Sequence, residues 1–189
     1  GKVGKKIADD RINIKEKPYM DNATVCRTFD DEGTPTHPKY IVKRGVLKTF
    51  LHNKRTAQKE GIKSTANGFR PSHKNTIEVM PTNMYLEKGE YSLDDMIKTI
   101  NEGILITNIQ GLHAGINTSS GNISLSSKGF FIKDGEIEKP VSQITISGNF
   151  FDILNDISHI GNDLKFRTPN NTYFGSPSIK INRLTVAGS

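Results

Sequence analysis

Five histidines (His37, His52, His73, His113 and His159), the single Cys26 and the acidic run Asp30-Asp31-Glu32 are the side chains of this 189-residue chain best suited to chemistry near neutral pH. A self-contained zinc site needs ligands at matched spacings, such as two imidazoles one helical turn apart or a pair of cysteines. No two histidines stand four residues apart, no His-Glu-x-x-His occurs, and Cys26 has no second cysteine. No complete metal site is therefore expected in this chain. Asp30-Asp31-Glu32-Gly33 could hold a divalent cation or raise one another's pKa for acid–base work. The same acids before Gly33-Thr34-Pro35 also describe a solvated turn, and the turn is the reading adopted.

A second cluster lies at Gly111-Leu-His-Ala-Gly-Ile-Asn-Thr-Ser-Ser-Gly121, between two stretches that read as strands. Glycines permit positive φ and close approach, and loops on a β scaffold are common homes for binding groups. Ser119-Ser120-Gly121 is not the Gly-x-Ser-x-Gly elbow, and no phosphate-cradling glycine motif is present. Cys26 beside Arg27 reads as an inert small side chain. No catalytic residue is assigned. The candidate substrate-binding residues are His113, Asn117, Asp31 and Arg70, and a hydrolase built on this chain would draw on Asp31 and His113. Each has a plainer alternative: Asn117 shaping its own turn, His113 hydrogen-bonded in the core, Arg70 anchoring a loop after Asn67-Gly68. His159 reads as a partner for the end of a helix.

The elements that must position these residues are mainly strands. Tyr40 to Lys43 and Val46 to Phe50 flank Arg44-Gly45, and Phe130 to Lys133 and Glu136 to Glu138 flank Asp134-Gly135; both patterns predict hairpins. Further strands are expected over residues 11–15, 76–80, 104–109, 123–127, 141–147 and 178–186. The nearly continuous apolar run 104–109 reads as a strand covered on both faces, and a phase slip at Asn182-Arg183 as a bulge. Ser92 caps a helix whose stripe is Leu93, Met96, Ile97 and Ile100, closing at Gly103. A second helix starts near Asn149, with the stripe Phe150, Ile153, Leu154 and Ile157, and closes at Gly161. A shorter one runs from Lys54 to Glu60 and ends at Gly61. The fold class is α+β: a predominantly antiparallel β-sheet, barrel- or sandwich-like, with two to three short amphipathic helices, in a single domain over residues 1–189.

The net charge is +6, but Lys and Arg are scattered singly or in pairs, unlike the clustered charge of a nucleic-acid face. The lone cysteine excludes an internal disulfide and fits a reducing compartment. No apolar run approaches the roughly 20 residues that span a bilayer. Beginning at Gly rather than Met, the chain reads as a piece of a longer protein.

Eight stretches, taken in order, resemble the C-terminal part of the TldD/PmbA metallopeptidase family: Phe29-Asp-Asp-Glu-Gly-Thr-Pro35, Arg44-Gly-Val-Leu-Lys-Thr-Phe-Leu51, Ser64-Thr-Ala-Asn-Gly-Phe-Arg70, Pro81-Thr-Asn83, Gly111-Leu-His-Ala-Gly-Ile-Asn117, Ile144-Thr-Ile-Ser-Gly-Asn149, Ile160-Gly-Asn-Asp-Leu164, and Pro177 through Leu184-Thr-Val-Ala-Gly188. The resemblance implies a cytoplasmic protein acting as a dimer, with a TldD-type or an identical subunit, on peptide substrates in maturation or proteolysis. Nucleic acid and membrane are not expected as partners. An older family name, modulator of DNA gyrase, implies the alternative of a nucleic-acid- or gyrase-associated module. The family's zinc-binding His-Glu-x-x-x-His lies upstream of everything in this chain, so zinc is expected only through such a segment or through a partner subunit. A cysteine that completes zinc binding in TldD types would fall near Phe166 to Pro177, where this chain has none. The Gly-Leu-His-Ala-Gly-Ile-Asn run is more similar to the PmbA (TldE) branch, whose members can act as metal-free partner subunits. By itself the chain is expected to be inactive, shaping a peptide-binding chamber and a subunit interface.

Overall fold

Both hairpin turns take the geometry their dipeptides demand. Arg44 and Gly45 have φ of 49° and 69°, and Asp134 and Gly135 of 49° and 81°, the paired left-handed residues of a type I′ turn. The computed structural model describes residues 1–21, 23, 25–167 and 173–188. In chain order its elements are β1 (Ile14–Glu16), β2 (Lys39–Lys43), β3 (Val46–Leu47), α1 (Lys54–Glu60), β4 (Gly68–Phe69), β5 (Glu78–Val79), β6 (Asn83–Leu86), α2 (Leu93–Lys98), β7 (Glu102–Gln110), β8 (Asn122–Lys133), β9 (Glu136–Asn149), α3 (Phe150–Asp156), β10 (Ile157–Ile160), β11 (Lys165–Arg167), β12 (Tyr173–Ser176), β13 (Ile179–Ile181) and β14 (Thr185–Ala187). The expected α+β class with mostly antiparallel pairing and short helices is what forms, and the sheets are open rather than closed into a barrel. Among the described residues no helix is long and apolar enough to cross a membrane.

The chain divides into two compact units. The first comprises Gly1–Lys6, Asp10–Glu87 and Leu164–Pro177. It holds a six-stranded sheet in the order β11-β12-β6-β1-β2-β3 and the small β4–β5 pair. Every pairing in it is antiparallel except β12 with β6. Ile12, Val42, Leu47, Phe69 and Tyr85 are buried in it. The Phe166 ring stacks on Tyr173 at 4.5 Å and meets Tyr85 edge-on at 5.5 Å. Helix α1 starts where Asn53 accepts the Thr56 N–H and stops at left-handed Gly61.

The second unit comprises Ile7–Asp9, Lys88–Asp163 and Ser178–Ser189. Its four-stranded sheet runs β14-β9-β8-β7, beside the pair β10–β13. Leu125, Ile132, Ile144, Ile146, Leu154 and Met96 are buried here. Strands β8 and β9, of 12 and 14 residues, each unite two stretches expected separately. Strand β9 runs through Pro140, because β14 pairs only with Thr145, Ile146 and Ser147. That leaves the Pro140 stretch on an outer edge, where a missing N–H is tolerated. Gly129 lets β7 approach closely, since a Cβ there would strike the Leu105 carbonyl.

Five expectations are corrected. The apolar run of β7 is not covered on both faces: Ile104 to Ile106 are half-buried and Ile109 is 42% exposed, because β7 is the last strand of its sheet. The C-terminal strand 178–186 is broken, not bulged. Asp156 accepts the Arg183 N–H at 2.8 Å and its carbonyl the Asn182 N–H at 3.1 Å, and β13 and β14 then pair with different strands. The helix from Asn149 ends at Asp156 rather than Gly161, since Ile157 and Ile160 are buried by pairing with β13. His159 therefore lies on a strand with its ring edge-on to Tyr91 at 4.5 Å, not at a helix end. Helix α2 begins at Ser92 as expected but closes at Thr99, where the Thr99 hydroxyl donates to the Met96 carbonyl and β7 soon begins.

Candidate functional site

The acidic run is a turn that builds its own scaffold. Asp30 is buried; its Oδ1 accepts the N–H groups of Glu32 (3.1 Å) and Thr34 (2.8 Å), and its Oδ2 that of Gly68 (3.2 Å). Gly33, at φ 75°, allows the reversal. Asp31 donates its N–H to the Gly68 carbonyl at 2.8 Å and accepts the Arg70 N–H on Oδ2 at 2.7 Å. Glu32 accepts the N–H of Lys54, the first residue of α1, at 2.6 Å. All three carboxylates are thus committed to backbone donors. A Cβ at Gly68 would sit 2.7 Å from Glu32 Oε2, so a larger residue there would push the Glu32 side chain away from its bond to Lys54. Arg70 also anchors its loop, donating from Nη1 to the Asn75 carbonyl at 3.1 Å.

Beneath this turn lies a group that sequence reading missed. Glu16 is fully buried, with Lys39 Nζ at 2.6 Å from its Oε2. Its Oε1 accepts from Asn67 Nδ2 (2.7 Å), the Thr82 N–H (2.8 Å) and the Thr82 hydroxyl (3.1 Å). Buried charges persist when paired and hydrogen-bonded in this way. Glu16 stands between Lys15 and Lys17, which reads as a solvated face. The weak available signal was the alternation that puts Glu16 on the same side of its strand as Ile14. Lys15 points the other way, to Tyr40 and Glu87. Burial works against its charge, but those hydrogen bonds outweigh it and raise its pKa above the ordinary 10.5.

The loop 111–121 joins the edge strand β7 to β8. Gly111 accepts the N–H groups of Ala114 and Gly115, and Gly115 accepts that of Ser124 at 2.8 Å. A side chain at Gly115 would strike the Ser124 carbonyl. Asn117 Oδ1 accepts the Ser119 and Ser120 N–H groups, each at 3.0 Å, so Asn117 does shape its own turn. Asn149 Nδ2 pins the far side through the Ser120 carbonyl at 2.9 Å. His113 is exposed rather than a core group. Leu112 (56%) and Ile116 (37%) are exposed beside it.

Asp31 and Arg70 are therefore brought together in one unit, and His113 and Asn117 on one loop in the other. Among the described residues no three His, Cys, Asp or Glu side chains converge as metal ligands. The described residues offer no ligand set for a zinc ion. In the segment Phe166 to Pro177, where a TldD-type cysteine would fall, residues 168–172 lie outside the described residues.

Fold and loops together define an open-sheet α+β domain with three short helices among the described residues. The model for the PmbA/TldA metallopeptidase C-terminal domain matches residues 1–188, and the chain belongs to this family. It is 32% identical over 99% of its length to a metalloprotease TldD homolog of Buchnera aphidicola, and 33% identical over 95% to metalloprotease PmbA of Escherichia coli O157:H7. It covers 41% and 37% of those two proteins, so it spans about two-fifths of the curated relatives it matches. Among solved structures it is similar to a Thermotoga maritima protein described as a candidate modulator of a DNA gyrase (TM-score 0.88, 41% identity, covering 99% of this chain and 41% of that one). It is also similar to TldE of Thermococcus kodakarensis (TM-score 0.90, 30% identity, covering 100% and 42%).

Proposed function

We propose that this domain forms a peptide-binding wall and subunit contact in a two-subunit, cytoplasmic metallopeptidase assembly acting in peptide maturation or proteolysis. In this reading it is the PmbA-type partner, and zinc is held by a TldD-type subunit or by a segment outside this chain. The carrying observation is the open edge of β7. Its nine residues pair only with β8 among the described residues, and half-exposed apolar side chains flank its free N–H and C=O groups. An extended peptide can add to such an edge by backbone pairing with little demand on its sequence. The strand runs directly into the 111–121 loop, so His113 and the Asn117 amide stand at the end of that track.

The test mixes this protein with a TldD-type subunit and follows cleavage of an unstructured peptide by mass spectrometry, with and without a zinc chelator. Zinc-dependent cleavage by the mixture and none by this chain is expected. Zinc-dependent cleavage by this chain alone would overturn the reading.

A further inference from the structure

We infer that a notch lined by Arg27 and Arg70 binds the carboxylate of a peptide ligand. The inference goes beyond the β7-edge reading above, concerns a separate site, and rests on it only in taking the ligand to be a peptide. The notch lies wholly in the first unit, walled by Val25, Phe69, Met80 and Pro81 beside the two arginines. It is a shallow depression of about 240 Å³ including its open mouth. Its size suits a small terminal group presented at the mouth rather than an enclosed side chain.

Three observations support the assignment. No Asp or Glu lies in the lining, and neither guanidinium has an ion-pair partner among the described residues. The acidic side chain bonded at this segment, Asp31, is spent on the Arg70 backbone N–H, not on the guanidinium. The backbones of both arginines are held in place, and the Arg70 guanidinium is tied to the Asn75 carbonyl. Arg27 lies over the Phe69 ring at 5.8 Å, its N–H donates to the Pro18 carbonyl and its carbonyl accepts from Thr36. The Arg70 backbone is tied to Asp31, and its Nη1 donates to the Asn75 carbonyl. The wall between them is clamped from below, since Asn67 is bonded to buried Glu16 and Gly68 to Asp30. Two planar guanidiniums held at an apolar notch match a carboxylate, which each can grip through two parallel N–H donors.

The carboxylate can come from an acidic side chain or from a peptide C-terminus, and titration of the full chain separates them. The probes are N-acetyl-Leu-Glu amide, N-acetyl-Leu-Leu with a free C-terminus, the neutral N-acetyl-Leu-Gln amide and inorganic phosphate, each followed by calorimetry. One carboxylate probe is expected to bind at least about tenfold more tightly than the neutral one. Arg27→Gln and Arg70→Gln should each weaken it about tenfold, and Arg70→Lys less, because it keeps charge but loses the fork. Unchanged far-UV circular dichroism melting checks that each variant folds; if one does not, the comparison of probes on the unaltered protein decides. Equal binding of neutral and carboxylate probes, or binding unmoved by both arginine variants, overturns this inference and leaves the peptide reading standing. Binding of phosphate alone overturns it in favour of a general anion site. No binding of any probe at millimolar concentration also overturns it, while the β7-edge reading is judged separately by the cleavage test.

Discussion

Replacing Lys39 by Met tests the buried pair on which the Asn67 to Arg70 segment rests. Glu16 is fully buried and Lys39 nearly so, with 2.6 Å between them. Met fills the same stem volume but removes the charge, stranding a carboxylate in a dry interior. Losing one partner of such a pair typically costs about 3–5 kcal/mol. Three other donors to Glu16 survive, from Asn67 and twice from Thr82, which places this case near the lower end, about 3 kcal/mol. The chain has no Trp, so urea unfolding is best followed by far-UV circular dichroism, with the midpoint expected to fall and the slope to hold. The double variant Glu16→Gln/Lys39→Met should lose less than the sum of the two single variants, because the second change removes the charge stranded by the first. A Lys39→Met variant within about 0.5 kcal/mol of the parent, or additive single and double variants, would refute the claim of a tightly coupled dry pair.

Asp30→Ala leaves the N–H groups of Glu32, Thr34 and Gly68 without their acceptor. The expected loss is about 2–4 kcal/mol, with fast hydrogen exchange appearing at the Gly68 amide; unchanged Gly68 protection would contradict the clamp. Asp95 is held below its ordinary pKa of 3.8 chiefly by the hydroxyl of the capping Ser92, against the opposing effect of desolvation. Its contribution to α2 is therefore present above pH 3.8 and lost as pH falls through the lower folded-state value. A carboxyl-carbon NMR titration should find the Asp95 midpoint below 3.8, moving up in Ser92→Ala; an unmoved midpoint would count against the cap.

Much of this domain was legible in its residues because the signals are local. Arg44-Gly45 and Asp134-Gly135 impose left-handed turns on flanking β-branched and aromatic residues, so both hairpins follow from short-range sterics. Ser92 and Gly61 mark a helix start and a helix end for equally local reasons. The eight ordered motifs identify the family, because many weak matches in fixed order are jointly specific. The acidic turn was readable as well, since Asp30 satisfies N–H groups two and four residues away.

What the residues could not reveal depends on partners distant along the chain. Whether 157–160 is a helix or a strand was decided by β13, some twenty residues on, whose pairing overrode a helical stripe. The exposure of Ile109 follows from β7 being the last strand of its sheet, which no window of sequence records. Glu16, Lys39, Asn67 and Thr82 come from four separate segments, and each looks solvent-facing in its own neighbourhood. Only folding removes water from all four at once, and only then does the Glu16–Lys39 attraction become strong enough to matter. By itself the sequence determined the turns, the caps and the family; the tertiary structure decided which charges are buried, which edge stays open, and that Arg27 and Arg70 line one notch. The reason is that turn and cap energies are set within a few residues, while burial is a property of the assembled chain.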